Sequence, residues 1–425
     1  MDREREFAEY VSGLAQTLGH ADRVGPLGDY CRGLMLSGER KSVEPMAALV
    51  APRQASAKHQ SLHHFVAKAE WSDTQMLSAV REAVLPSLGS IEAWIVDDTG
   101  YPKKGKHSVG VARQYCGQLG KQDNCQVAVS LSVANERASL PIDYRLYLPR
   151  EWADDPQRLR KAEVPEGVVF ATKVQLALEQ LKRARSAQVP AGVVLSDAGY
   201  GNDADFRDGI SSLGLTYAVG IQGSTTVWAE GHEPLPPRGD WGRGRPGTHL
   251  RRDRTHQPID VKSLAHELPG RAWRRIQWRE GSAGALASRF ARVRVRAAHR
   301  NEVRAEDWLV IEWPLGETEP TKYWLSTLPP SSAFKELVRL IKLRWRIERD
   351  YQELKQELGL GHYEGRNWRG FHHHATLTIA AYGFLMRARL TGRSKKNAAM
   401  RSADLPLRRP PRPKDFIPRG SPRAS

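Results

Sequence analysis

The chain has 425 residues, enough for more than one hydrophobic core, and its 65 lysines and arginines against 48 acidic residues leave a net charge of +17. That excess points to a polyanionic partner, nucleic acid first, and gives no support to a membrane or small-molecule role. Three cysteines without metal or redox spacing, a charged N-terminus and no apolar run long enough to span a bilayer predict a reducing, cytoplasmic, nucleoid-associated setting. Residues 1–88 read as a helical domain. Phe7, Tyr10, Val11, Leu14 and Leu18 recur at helical spacing, as do Met76, Leu77, Val80 and Val84. Between them the basic turn Gly38–Pro45 leads into a helix with Ser42 as its N-cap. A bundle that meets DNA and one that only packs on its neighbour fit this pattern equally well.

From about residue 89 to 221 the pattern changes to strands at Trp94–Val96, Gln126–Ala134 and Ile142–Leu148, a helix over Ala171–Arg185, a strand at Val193–Leu195 and a helix from Asp203. This order suggests a mixed α/β sheet with helices on its faces. Lys103 and Lys104 fall in a mobile basic turn after the first strand. Residues 222–328 read as a β-rich insertion: a Gly/Arg loop at 239–247, then antiparallel strands at Arg271–Trp278, Phe290–Ala298 and Glu306–Trp313. In Arg292-Val293-Arg294-Val295-Arg296 one face is apolar and the other wholly arginine, which suits a solvated face or a strand along a phosphate backbone. Residues 329–390 return to helices, and 391–425 form a basic tail read as disordered.

The candidate chemistry lies in three carboxylates. Asp97, with Asp98 beside it, and Asp197 each end an apolar strand, where aspartate is a poor strand residue. Period-two alternation lets only one of Asp97 and Asp98 face a given cleft. At about 100° per residue, Arg344, Glu348 and Lys355 fall within roughly 40° on one helix face. An ordinary solvated Arg–Glu pair would explain that helix alone. Taken with the two strand-end aspartates, the set suits a site for two Mg²⁺ ions acting on phosphodiesters. His372, His373 and His374 point in different directions on a helix, so they suit a surface or DNA-facing role better than one metal site. Cys116 and Cys125 read as small core residues.

The motifs Asp97–Gly105, Gly110–Tyr115, Ser196–Gly201, Tyr363–Arg366 and Arg344-x-x-x-Glu348-x-x-x-x-x-x-Lys355 together resemble bacterial insertion-sequence transposases of the DDE class. The resemblance is to the branch with a Tyr-Arg-Glu-Lys signature, and within it to the insertion-sequence-701 group. Ile341 stands at the tyrosine position, a departure from the pattern. The resemblance implies an RNase H-like α/β fold interrupted by the β-rich insertion, which accounts for the separation of Asp197 and Glu348 (348 − 197 = 151). It implies a Mg²⁺-dependent endonuclease and strand transferase, with Mn²⁺ as a substitute, held by Asp97, Asp197 and Glu348, with Asp98 the alternative first ligand. Arg344, Lys355, Lys103, Lys104 and Arg294 are the expected DNA contacts. Expected partners are double-stranded DNA with terminal inverted repeats, target DNA and a second copy of the chain, in cut-and-paste transposition. A metal-dependent nuclease or recombinase that does not transpose, or an inactive DNA-binding derivative, are the alternatives.

Overall fold

The computed structural model describes residues 3–237, 250–281, 284–299 and 302–394. The Gly/Arg loop at 239–247 and the tail from 395 lie outside these residues. The N-terminal segment folds as α1 (Arg3–Ala15), α2 (Val24–Met35), α3 (Val43–Val50), α4 (Ala55–Ala67) and α5 (Asp73–Leu88). Phe7, Tyr10, Val11 and Leu14 are buried from α1, and Met76, Leu77, Val80 and Val84 from α5, as their spacing requires. α5 is delimited by Ser72, whose hydroxyl accepts from the Gln75 amide at 3.2 Å, and by Gly89, at a φ of 78° that glycine adopts without strain. Ser42 does precede α3, but its hydroxyl makes no capping bond.

Twelve strands among the described residues form one sheet: β1 (Ala93–Pro102), β2 (Ala112–Cys116), β3 (Lys121–Ala134), β4 (Ser139–Leu146), β5 (Val193–Ser196), β6 (Tyr217–Ile221), β7 (Thr226–Trp228), β8 (Ile259–Asp260), β9 (Arg274–Gly281), β10 (Gly284–Ala297), β11 (Glu306–Glu312) and β12 (Lys322–Ser326). Their order is β2-β3-β1-β5-β6-β12-β11-β10-β7-β8, with β4 paired to β3 and β9 to β10. β3 runs antiparallel to both β1 and β4, while β1, β5 and β6 are parallel. This is the RNase H-like arrangement. The strands after residue 222 do not form a sheet of their own: β12 pairs antiparallel with β6, Tyr323 opposite Ile221, and carries the same sheet onward. The sequence pattern shows β9, β10 and β11 but not β2, β6, β7, β8 and β12, nor the short helices Arg150–Ala153, Pro156–Lys161 and Val261–Glu267.

Alternation along the strands divides the core. Trp94, Val96 and Val194 pack with α6 (Lys173–Ser186) and α7 (Ala204–Ser212), through Ala177, Leu181, Phe206 and Ile210. Ala93, Ile95 and Leu195 pack instead with α8 (Phe334–Lys342) and α9 (Trp345–Gln352), through Leu337, Ile341 and Ile347. α6 begins with a capping box in which Thr172 and Gln175 satisfy each other's backbone amides. The final helix, α10 (Trp368–Ser394), runs against α2, α4 and α5, so the N-terminal helices and the sheet share one continuous core. Tyr10 donates to the Ala380 carbonyl at 2.9 Å across that junction.

Candidate active site

The parallel pairing of Ile95 with Leu195 brings Asp97 and Asp197, each two residues further on, to the same end of neighbouring strands. Asp97 shares the face of Ala93 and Ile95 and is buried beneath α9, where Arg344 donates to its carboxylate at 2.9 Å. Asp98 turns to the opposite face. There it pairs with Lys173 of α6 at 2.7 Å and lies 3.5 Å from the Tyr200 hydroxyl. Asp197 caps the helical turn Ala198–Gly201, accepting from the Gly199 amide at 2.9 Å. A Cβ on Gly201 would run into the Gly220 carbonyl of β6, so the turn needs glycine to lie this close to the sheet.

The helix read as continuous from Leu343 to Lys355 is broken in two places. α8 ends at Lys342, Arg344 stands at the residue before α9 without a side-chain capping bond, and a π-helical turn at Glu353–Glu357 follows. Arg344 and Glu348 still lie one turn apart, 3.6 Å between Nη1 and Oε1. Lys355 sits in the wider π turn, so ordinary helical geometry does not set its direction. Its ammonium donates to the Gly100 carbonyl at 2.8 Å and to Gln118 Oε1 at 3.3 Å, binding the end of β1 to the β2–β3 hairpin. Burial pushes the Lys355 amine down to about 8, against the smaller opposing pull of Cys116, Asp97 and Asp98.

One guanidinium thus touches all three predicted carboxylates: Arg344 is 2.9 Å from Asp97, 3.9 Å from Asp197 and 3.6 Å from Glu348. Burial pushes the Asp97 carboxyl up to about 7; Arg344 opposes this, while repulsion from Asp197 and Asp98 adds to it. For Arg344 burial works against the charge, but Asp97, Asp197 and Glu348 prevail and hold its pKa above the ordinary value. No three His, Cys, Asp or Glu side chains among the described residues converge closely enough to hold a metal ion, and the Glu348 side chain is 72 % exposed. The donor set nevertheless fits a hard divalent cation. It consists of carboxylate oxygens only, and its buried member carries an anion that burial disfavours without a cation beside it.

Other candidates fall elsewhere. Lys103 donates to the Tyr363 carbonyl at 2.7 Å, and Asn124 fixes the turn by donating to the Lys103 and Gly105 carbonyls at 2.6 and 2.9 Å. Lys104 points to solvent. The arginine face of β10 is covered rather than free: Arg294 donates to the Glu306 carbonyl and stacks with Arg292 on Trp308, while Arg292 donates to Ser332 and Arg296 to Arg304. The histidines expected at the surface are buried. His372 bonds Trp368 O and Leu146 N, His373 meets Val66 O and Trp71 O, and His374 bonds Tyr30 Oη and Gly359 O. They diverge as expected, but they tie α10 to three neighbours. Cys116 and Cys125 are buried, and Ile341 packs on the sheet in the tyrosine's place. Sequence reading missed Lys173, and it missed Tyr351, whose hydroxyl bonds Ser130 at 2.7 Å and whose ring lies near enough to Asp97 to feel its charge. Tyr200 lay inside a quoted motif; nothing marked Lys173.

No helix among the described residues is long and apolar enough to cross a membrane. Residues 13–285 match the family described as DDE superfamily endonuclease, a span that holds Asp97 and Asp197 and ends before Glu348. The chain is also 29 % identical over 191 residues to the probable transposase for insertion sequence element IS701 of Microchaete diplosiphon, covering 44 % of this chain. That match spans about half the relative's own length, 46 %. With an RNase H-like sheet, strand-end aspartates and a family match over more than half its length, the chain belongs to the DDE superfamily of endonucleases.

Proposed function

We propose that this chain is a transposase that cuts the ends of a DNA element and joins them to a target. The observation that carries the reading is the meeting of carboxylates from β1, β5 and α9 around Arg344. Family membership and the +17 charge support a DNA substrate. Asp97, Asp197 and Glu348 would hold two Mg²⁺ ions, with Mn²⁺ as a substitute, and the pair supplies an activated water or 3′-hydroxyl and charge relief at the leaving 3′-oxygen.

The chain's own residues do the rest. Arg344 offers a planar fork that matches phosphate oxygens as well as it matches carboxylates, so it transfers from Asp97 to the scissile phosphate. Lys355, held by Gly100 and Gln118, adds a point charge on the side of the β2–β3 hairpin. Lys104 and its neighbours extend the basic path outward. In this reading a pair of chains assembles on terminal inverted repeats before engaging target DNA.

The test is Mg²⁺-dependent cleavage of a duplex carrying the DNA that flanks the coding region. Glu348→Gln and Asp197→Asn are expected to lose cleavage by at least about 100-fold while still binding the duplex. Wild-type cleavage by Glu348→Gln would overturn the ligand assignment, and the absence of inverted repeats in the flanking DNA would remove transposition.

A further inference from the structure

The β2–β3 hairpin carries a feature that the carboxylate chemistry does not use. Tyr115 is the only Trp, Phe or Tyr among the described residues that is exposed, at 60 %. Its ring and hydroxyl have no partner among those residues. Every other aromatic there is buried or half-buried. A single exposed side chain is common on a protein surface, so what marks Tyr115 is its setting.

The surroundings of Tyr115 are specific. Arg113 lies two residues before it, on the same outward face and likewise exposed. The opposite face is anchored by Cys116 and Cys125, packed with Val127 beneath the sheet. Register places Tyr115 opposite Gln122 and Arg113 opposite Asn124, so the outward face continues onto β3. Asn124 is the residue that holds the Lys103–Gly105 backbone, which puts the basic turn with Lys104 and Lys106 alongside the ribbon. At the tip, Gln118 accepts from Lys355, the lysine that also bonds Gly100 three residues beyond Asp97. The aromatic therefore stands on a rigid ribbon bonded to the catalytic strand.

We propose that Tyr115 is a stacking platform for an unpaired base of the DNA next to the cleavage site, with Arg113 and the Lys104 turn holding the adjoining phosphates. The inference rests on the DNA-processing reading above. An aromatic face accepts any base but only once that base is free of its pair, whereas a guanidinium and ammonium groups beside it neutralise the backbone on either side. No hydrogen bond, ion pair or ring contact of the Tyr115 side chain among the described residues ties one element to another, so a folding role does not account for its exposed ring.

The experiment uses the full chain and a forked duplex whose single-stranded oligo-dT arm carries 5-iodouracil, a base that cross-links to a stacked aromatic ring on irradiation. The cross-link is expected to map to Tyr115, and Tyr115→Phe to retain it. Tyr115→Ala is expected to lose the cross-link and to bind the fork about fivefold or more weakly, with blunt-duplex affinity unchanged. A cross-link that maps elsewhere, or fork binding by Tyr115→Ala equal to wild type, overturns the platform and leaves the transposase reading standing. Failure of the wild type to bind either DNA overturns both.

Discussion

Arg344 holds a position that a metal ion or a phosphate would also claim. In the metal-free protein it is the counter-ion of a buried carboxylate that burial would otherwise neutralise. Replacing it removes a charge-assisted hydrogen bond, worth about 1.5–3 kcal/mol. Arg344→Ala is therefore expected to be less stable than wild type by about that amount in chelator, as read by urea unfolding. Added Mg²⁺ should close part of the gap. Equal stability in chelator would show that the guanidinium is not the counter-ion. At this scale the sequence was informative about residue types and blind to direction. Strand alternation says that Asp97 and Asp98 face opposite ways, but only the packing of α9 on one face and α6 on the other says which faces Arg344. That packing depends on residues more than 70 positions away in sequence, Lys173 and Arg344 themselves.

At the scale of elements, periodicity found most of the helices and the longer strands, because each buries a single face. It failed where an element departs from its ideal repeat. The π turn at Glu353–Glu357 has no sequence signature, so the wheel that grouped Lys355 with Arg344 assumed an α-helical repeat where the chain winds more widely. β6 and β12 were missed because they are short and buried on both faces, without polar alternation. α10 misled in another way, since three consecutive histidines look like a polar patch. Their partners explain the burial. With His372 Nδ1 assigned as donor to Trp368 O, Nε2 accepts from the Leu146 amide, so a second proton would meet another donor. Burial lowers the His372 and His374 pKa from 6.5 to about 4. A folded-state value below the unfolded one means that stability is lost as pH falls from about 6.5 to about 4. Buried Asp350, pushed up to about 7, contributes in the opposite direction, so the histidine share is best read as a difference. His372→Gln, which keeps a donor and an acceptor but cannot titrate, should show a shallower loss of urea stability over that range than wild type. Parallel pH profiles would refute the assignment.

For the whole molecule, charge and length were enough to suggest a polyanionic partner and more than one core, and the change of pattern after residue 221 was visible. That the strands beyond it join the sheet of β1, β5 and β6 was not, because pairing between β6 and β12 links segments about 100 residues apart. If the partner is DNA, as proposed, basic residues spread through every segment make many phosphate contacts. Affinity for duplex DNA should then fall about 1,000-fold or more between roughly 50 and 200 mM salt, the response expected when six or more phosphates are neutralised. A shallow slope in a salt titration would mean that most of the +17 charge faces away from DNA.

The unbroken sheet has a metric consequence. From β1, which carries Asp97, to β10 the order β1-β5-β6-β12-β11-β10 contains five strand spacings. At about 4.8 Å each, that fixes a span of roughly 24 Å with no hinge in it. Duplex DNA rises about 3.4 Å per base pair, so the same span corresponds to roughly seven base pairs. In the proposed transposase, DNA lying against β10 and its neighbour β9 would be held about that many base pairs from the strand-end aspartates, and the sheet would act as a ruler along it.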